Sequence, residues 1–241
     1  HFWIDYAQGF YKVMERIRAK YPDVLIQACA SGGGRVEYGA LRYFDEFWTS
    51  DNTEALSRAR IQYGTSLFYP AVAMGSHVSA VPNHQTGNVT PIKFRFDMAC
   101  AGRLGMELQP KQMTDAEKEF ARRAIASYKE YRDIVMQGDL YRIGTPYDES
   151  GCYGVLYVAK DKRQAVLFAY SLRYQGRSLI PKFRLDGLDP KTEYTVRELN
   201  VDKPRFWFDG KTLSGELLMN AGINPHLSKI YDSAVFILKA K

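Results

Sequence analysis

No apolar run in the 241-residue chain approaches the roughly 20 residues that a membrane-spanning helix needs, so no membrane partner is expected. Cysteine is scarce. Cys29, Cys100 and Cys152 are odd in number and show no C-x-x-C spacing, which argues against both a disulfide framework and a zinc site. The four histidines form no metal motif, and neither metal nor cofactor is expected. Internal repeats and low-complexity segments are also missing. The opening residues HFWIDYAQGFYKVMERIRAK lack the basic-then-apolar layout of a signal peptide and show a helical period instead. An initiator Met is missing too, so the chain is expected to be a fragment, from a cytoplasmic or periplasmic protein. The net charge of +6 comes from basic residues interleaved with acids rather than gathered in a stripe, which speaks against a nucleic-acid partner.

What is present is the composition of a soluble globular protein, 46% hydrophobic and 25% charged, in a chain long enough for one large domain or two ordinary ones. Its character changes near Gly138. Before that point helical patterns alternate with short apolar runs. Tyr6, Phe10, Val13 and Ile17 recur at helical spacing up to Tyr21-Pro22. Strands are predicted in DVLIQACA, EFWTSD, FYPAVAMGSHVS and RLGMEL, and a helix in TEALSRARIQYG that ends on Gly64. Another helix is expected to open at Thr90-Pro91, with Thr90 as its cap. In the last helix of this part, Thr114 and Glu117 have capping-box spacing and Gly138 is the stop. Strand-helix alternation implies parallel strands joined by crossovers. Beyond Gly138, CYGVLYVAK, RQAVLFAYSLRY, KFRLDGL, EYTVREL, KTLSGELLMN and SAVFILKAK read as strands between turns, which suits an antiparallel sandwich.

If the four parallel strands belong to a barrel, the polar clusters at their C-terminal ends share one mouth. The segment SGGGR matches neither nucleotide-binding glycine pattern, so its glycines are read as permitting a sharp turn or a close backbone approach to a ligand. Cys29 is either a small packing residue or a nucleophile with His77 or His84 as base. Asp51, in FDEFWTSDNTEA, is either a helix cap or a functional carboxylate.

The strings CASGGGR, FWTSDNTEA with Asp51 twenty-two residues after Cys29, IQYGTSLFYP, MGSHVSAVPNHQTGNVTP and LSGELLMNAG together resemble the C-terminal portion of the α-galactosidases of glycoside hydrolase family 36. The resemblance covers most of the chain. It implies a retaining glycosidase with a (β/α)8 TIM barrel, preceded by a large β-sandwich and followed by a smaller one. Residues 1–138 would then be barrel strands five to eight, and residues 139–241 the C-terminal β-sandwich. Asp51, in the S-D-N motif, corresponds to the general acid/base. Cys29 and the Gly32 backbone correspond to groups against the galactose hydroxyls, and Trp48 to a wall of the same pocket. The implied substrates are terminal α-galactosides such as melibiose and raffinose, with α-N-acetylgalactosaminidase activity or a purely sugar-binding or scaffold role as alternatives. Cys29 leans toward galactose.

The family's nucleophile, an Asp in a K-x-D segment, has no counterpart before HFWIDYAQGF, and Asp5 sits inside a helix pattern. A retaining glycosidase needs two carboxyl groups about 5 to 5.5 Å apart, so the isolated chain is expected to be inactive. Either the missing upstream barrel half or a homo-oligomer is expected to cover its open sheet edges. A catalytic acid must hold its proton, whereas a helix N-terminus favours the ionised form. The cap is therefore expected at Asn52 or Thr53, with Asp51 turned into the barrel mouth.

Overall fold

The computed structural model describes residues 1–173 and 182–241. Helix α1, Phe2–Lys20, stops at Tyr21, ahead of Pro22. Its inward stripe differs from the expected one: Met14 is buried and Phe10 stacks on Phe44 at 6.0 Å, while Tyr6 and Val13 are more than half exposed. Arg18 ties the helix to the layer beneath. Its Nε donates to the Tyr43 carbonyl at 2.7 Å, and its guanidinium pairs with Asp45, which also accepts the Ile26 N–H at 2.7 Å.

Among the described residues, a four-stranded parallel sheet runs β1 (Gln27–Ala28), β2 (Glu46–Trp48), β3 (Met74–Ser79), β4 (Arg103–Glu107), in that spatial order. Helices α2 (Ala55–Ser66) and α3 (Ile92–Ala99) make the crossovers, as the alternating pattern predicts. Element ends differ from expectation. The first strand contracts to two residues, α2 continues through Gly64, and α3 starts with Pro91 rather than Thr90 at its cap. Thr90 is buried instead, its carbonyl accepting from Arg95 Nε at 3.2 Å.

Helix α4, Asp115–Gln137, begins with the predicted capping box: Thr114 Oγ1 accepts the Glu117 N–H at 3.2 Å and Glu117 returns the bond at 3.0 Å. Gly138 ends it in an extended conformation with φ −72°, not the left-handed one. A Cβ there would lie 2.5 Å from the Ile134 carbonyl oxygen and 2.7 Å from that of Val158, so close backbone approach is what demands glycine.

The remaining strands are β5 (Asp139–Ile143), β6 (Cys152–Val158), β7 (Gln164–Ser171), β8 (Glu193–Leu199), β9 (Thr212–Ser214) and β10 (Asp232–Ala240). They form a six-stranded antiparallel sheet in the order β5-β6-β7-β10-β8-β9. Strand β5 is additional to those expected. Two expected strands fail: 182–188 contributes a single bridge, Phe183 to Ile223, and 211–220 is β9 followed by helix α5 (Gly215–Asn220), capped by Ser214. Tyr174, the end of another predicted strand, lies outside the described residues.

Both faces of the central strands are covered, so β6 reads as a continuous apolar run rather than alternating. One face packs Tyr153, Phe168 and Tyr170 against α3 and α4; the other packs Leu156 and Leu167 against Phe183, Leu185 and Leu218. The seam with α3 is polar. Tyr170 donates to the Asp97 carbonyl at 2.8 Å, in the last turn of that helix, and Tyr157 to the Ala101 carbonyl just beyond it at 2.9 Å. The buried Asp97 carboxylate accepts Asn200 Nδ2 at 2.9 Å and Ser233 Oγ at 2.7 Å and pairs with Lys93.

Candidate active site

The segment between β2 and α2 carries a relay of side chains. Ser50 Oγ accepts the Asn52 N–H at 3.1 Å, and Asn52 Oδ1 accepts the Glu54 N–H at 3.1 Å. Glu54 then caps α2, taking the N–H groups of Leu56 and Ser57 at 2.9 and 2.7 Å. The cap thus falls on Glu54, not on the expected Asn52 or Thr53. A carboxylate one methylene longer than the Asn side chain bridges two open donors of the first turn at once, and it meets the positive end of the helix dipole. Thr53 serves the neighbouring strand instead, its carbonyl accepting Ser79 Oγ at 2.9 Å.

Residues 50, 52 and 54 point their side chains at the backbone ahead of them. Asp51, between them, is exposed, and its carboxylate takes no hydrogen bond or ion pair among the described residues. The observation that would count against an acid role, Asp51 bonded to the N–H groups of residues 53 to 55, is not made.

The glycine triplet lies directly against this loop. Gly32 is buried with φ +75°, and a Cβ on it would stand 2.8 Å from Ser50 Cα and 3.0 Å from Asp51 N. A Cβ on Gly33 would lie 3.1 Å from the Thr49 carbonyl oxygen. SGGGR makes the sharp turn expected of it, with the Gly34 N–H donating to the Ala30 carbonyl at 3.2 Å, and the same turn sets the Gly32 backbone against that of Ser50 and Asp51.

Register places the other two candidates. Gln27 pairs with Glu46 and Ala28 with Phe47, so Gln27 and Cys29 project to the same side of the sheet as Glu46 and Trp48. Cys29 is exposed rather than packed, and among the described residues neither His77 nor His84 hydrogen-bonds it, which leaves the Cys-His nucleophile without its base. Trp48 is 8% exposed and contacts two rings or planes: the His77 imidazole at 4.4 Å between centroids and the Arg58 guanidinium at 5.5 Å.

Arg58 and its environment escaped the sequence reading, since an Arg on a helix pattern signals a solvated face. It is 1% exposed, donates Nη2 to the Gly75 carbonyl at 2.7 Å and Nε to Gln62 Oε1 at 3.1 Å, and leaves Nη1 without a partner. Burial pulls its pKa down to about 10, with Glu107 acting in the opposite direction. Burial likewise lowers His77, against the pull of Glu107 and Glu46. Among the described residues no cluster of three or more His, Cys, Asp or Glu could hold a metal ion, and no helix is long and apolar enough to cross a membrane.

Comparison with known proteins gives this arrangement a lineage. The family model described as Melibiase matches residues 3–138, more than half of the chain. The chain belongs to the melibiase family. A second model, the glycosyl hydrolase family 36 C-terminal domain, matches residues 153–238. The probable alpha-galactosidase C of Aspergillus flavus is 43% identical over 237 residues, covering 98% of this chain and 30% of that protein. Among solved structures, the galactosidase domain of the alpha-galactosidase-sucrose kinase AgaSK superimposes with a TM-score of 0.89 at 38% identity, covering 99% of this chain and 32% of the other. A variant of the alpha-galactosidase AgaA of Geobacillus stearothermophilus, solved in complex with raffinose, gives 0.88 at 36% identity over 97% of this chain and 31% of its own. The chain therefore spans about 30% of the length of the curated melibiase relatives it matches.

Proposed function

We propose that this melibiase chain is the part of a retaining α-galactosidase that carries its general acid/base, Asp51. In this reading residues 1–138 are the C-terminal half of a (β/α)8 barrel and residues 139–241 a β-sandwich. The substrate is an oligosaccharide ending in α-linked galactose, such as melibiose or raffinose. The observation that carries the reading is the isolation of Asp51. In a loop where Ser50 Oγ, Asn52 Oδ1 and the Glu54 carboxylate are committed to backbone donors, the Asp51 carboxylate is free to act on a ligand. Glu54 occupies the dipole end of α2 in its place.

Asp51 protonates the leaving glycosidic oxygen, and as a carboxylate it then activates the water that cleaves the galactosyl-enzyme. The nucleophile is a carboxylate outside this sequence, since Asp5 belongs to the first turn of α1 and not to the end of a strand. Gly32 approaches the sugar through its backbone, Cys29 borders a galactose hydroxyl, and Trp48 walls the pocket. The missing barrel half, or a second subunit, covers the open edges of the parallel sheet.

The test is chemical rescue. In the full-length protein Asp51→Ala should lose turnover of galactosides with poor leaving groups and retain galactosylation by activated ones, with azide restoring turnover and yielding the α-configured galactosyl azide. An Asp51→Ala enzyme that still hydrolyses raffinose at the normal rate would overturn the assignment.

A further inference from the structure

Two rings on the parallel sheet each lie over a glycine of the next strand. Trp48 is in register with Gly75, where a Cβ would come 3.4 Å from the indole Cε3. His77, two residues along β3, is in register with Gly105, where a Cβ would come 2.3 Å from the imidazole Cδ2 and 2.5 Å from Nε2. Such a separation is impossible, so any side chain at position 105 evicts the imidazole. Glycine inside a strand weakens it and marks a place where something approaches closely. Here the approaching group is His77, which in turn contacts Trp48 at 4.4 Å with the ring planes 42° apart. The two rings thus pack on each other as well as over their glycines.

We propose that His77, held down over Gly105, is a positioning residue that sets the tilt of Trp48 in the sugar site. The proposal rests on the galactosidase reading, in which Trp48 walls the galactose pocket. Arg58 fixes the same indole from helix α2, through its contact at 5.5 Å, and His77 does so from within the sheet. No proton transfer is assigned to His77; it acts through the shape of the wall, and its effect belongs in substrate binding.

The experiment is a double-variant cycle in the full-length enzyme, with 4-nitrophenyl α-galactoside as the probe. Gly105→Ala should raise KM about tenfold, and His77→Ala about threefold, with kcat within about twofold of wild type because the acid does not move. In the His77→Ala background, Gly105→Ala should add almost nothing, because the ring it evicts is already gone. The same cycle read as Tm should show Gly105→Ala lowering stability only when the imidazole is present. If Gly105→Ala alone fails to fold, recovery of folded protein by adding His77→Ala supports the proposal, and failure of both overturns it. Equal KM factors in the two backgrounds, or an unchanged KM in His77→Ala, would also overturn it. A wild-type enzyme with no turnover would refute the galactosidase reading instead, and the Tm cycle would still judge the contact between His77 and Gly105.

Discussion

Replacing Gly32 by Ala isolates the contact on which the Asp51 loop depends. Two costs arise. The backbone at φ +75° is left-handed, and an L side chain there costs about 1 to 2 kcal/mol. The added Cβ then meets Ser50 Cα at 2.8 Å and Asp51 N at 3.0 Å, both main-chain atoms that no rotamer change can move aside. Relief requires the loop to shift by several tenths of an ångström, and overpacking of this kind costs about 1 to 3 kcal/mol more. Gly87 supplies the control: its φ is +70°, and the space its Cβ would take is open within 4 Å, so Gly87→Ala carries the backbone cost alone. Unfolding in urea should therefore place Gly32→Ala about 2 to 5 kcal/mol below wild type and Gly87→Ala about 1 to 2 kcal/mol below it. Because the displaced atoms include the Asp51 backbone, kcat/KM of the full-length protein should fall about a hundredfold in Gly32→Ala and stay unchanged in Gly87→Ala. Equal destabilisation by the two substitutions, or full activity in Gly32→Ala, would refute the reasoning.

Glu54→Ala removes the acceptor of two backbone N–H groups and of Ser57 Oγ, and should cost about 1 to 2 kcal/mol, with Glu54→Gln recovering part of it in the same urea titration. Asp45 governs the acid limit. Burial pushes its carboxyl up, but Arg18, the Ile26 N–H and Arg103 outweigh burial and hold it below its ordinary 3.8. The unfolded chain thus binds the proton more readily, so this contribution is present above the unfolded value and is lost as pH falls through the folded one. Tm measured from about pH 2 to pH 6 should drop less steeply in acid for Asp45→Asn than for wild type. An identical acid slope in both proteins would exclude Asp45 as a contributor.

Features set by near neighbours were legible in the sequence. The capping box at Thr114 and Glu117 lies within one turn of chain, and α4 begins where the two residues say it does. The segment 211–220 was misread because LSGELLM is too short an apolar run to distinguish strand from helix, and Ser214 decides the matter through a single bond to the Leu217 N–H. KFRLDGL has strand composition but only Phe183 finds a bridge partner, and a strand is defined by its partner rather than by its own residues. At the candidate site, the polar loop and the glycine triplet were each visible, as was Asp51. Their contact was not, because Gly32 reaches Ser50 through the parallel fold of β1 on β2. Arg58 was hidden for the same reason: what buries it is Trp48 and the Gly75 carbonyl, neither on its own helix.

The seam at α3 bears on how the protein is made. The Asp97 carbonyl in the last turn of that helix is satisfied by Tyr170, the Ala101 carbonyl just past it by Tyr157, and the carboxylate of Asp97 by Asn200 and Ser233, all of which leave the ribosome after the whole parallel layer. Until the antiparallel strands arrive, α3 holds a carboxylate whose later partners do not yet exist, and α4 presents a bare aromatic stripe. Gly138 therefore divides two kinds of sheet that share one buried cluster of side chains. A chain released at that point would lose the closing half of its own core, and the C-terminal sheet acts as the last step in assembling the layer that carries Asp51.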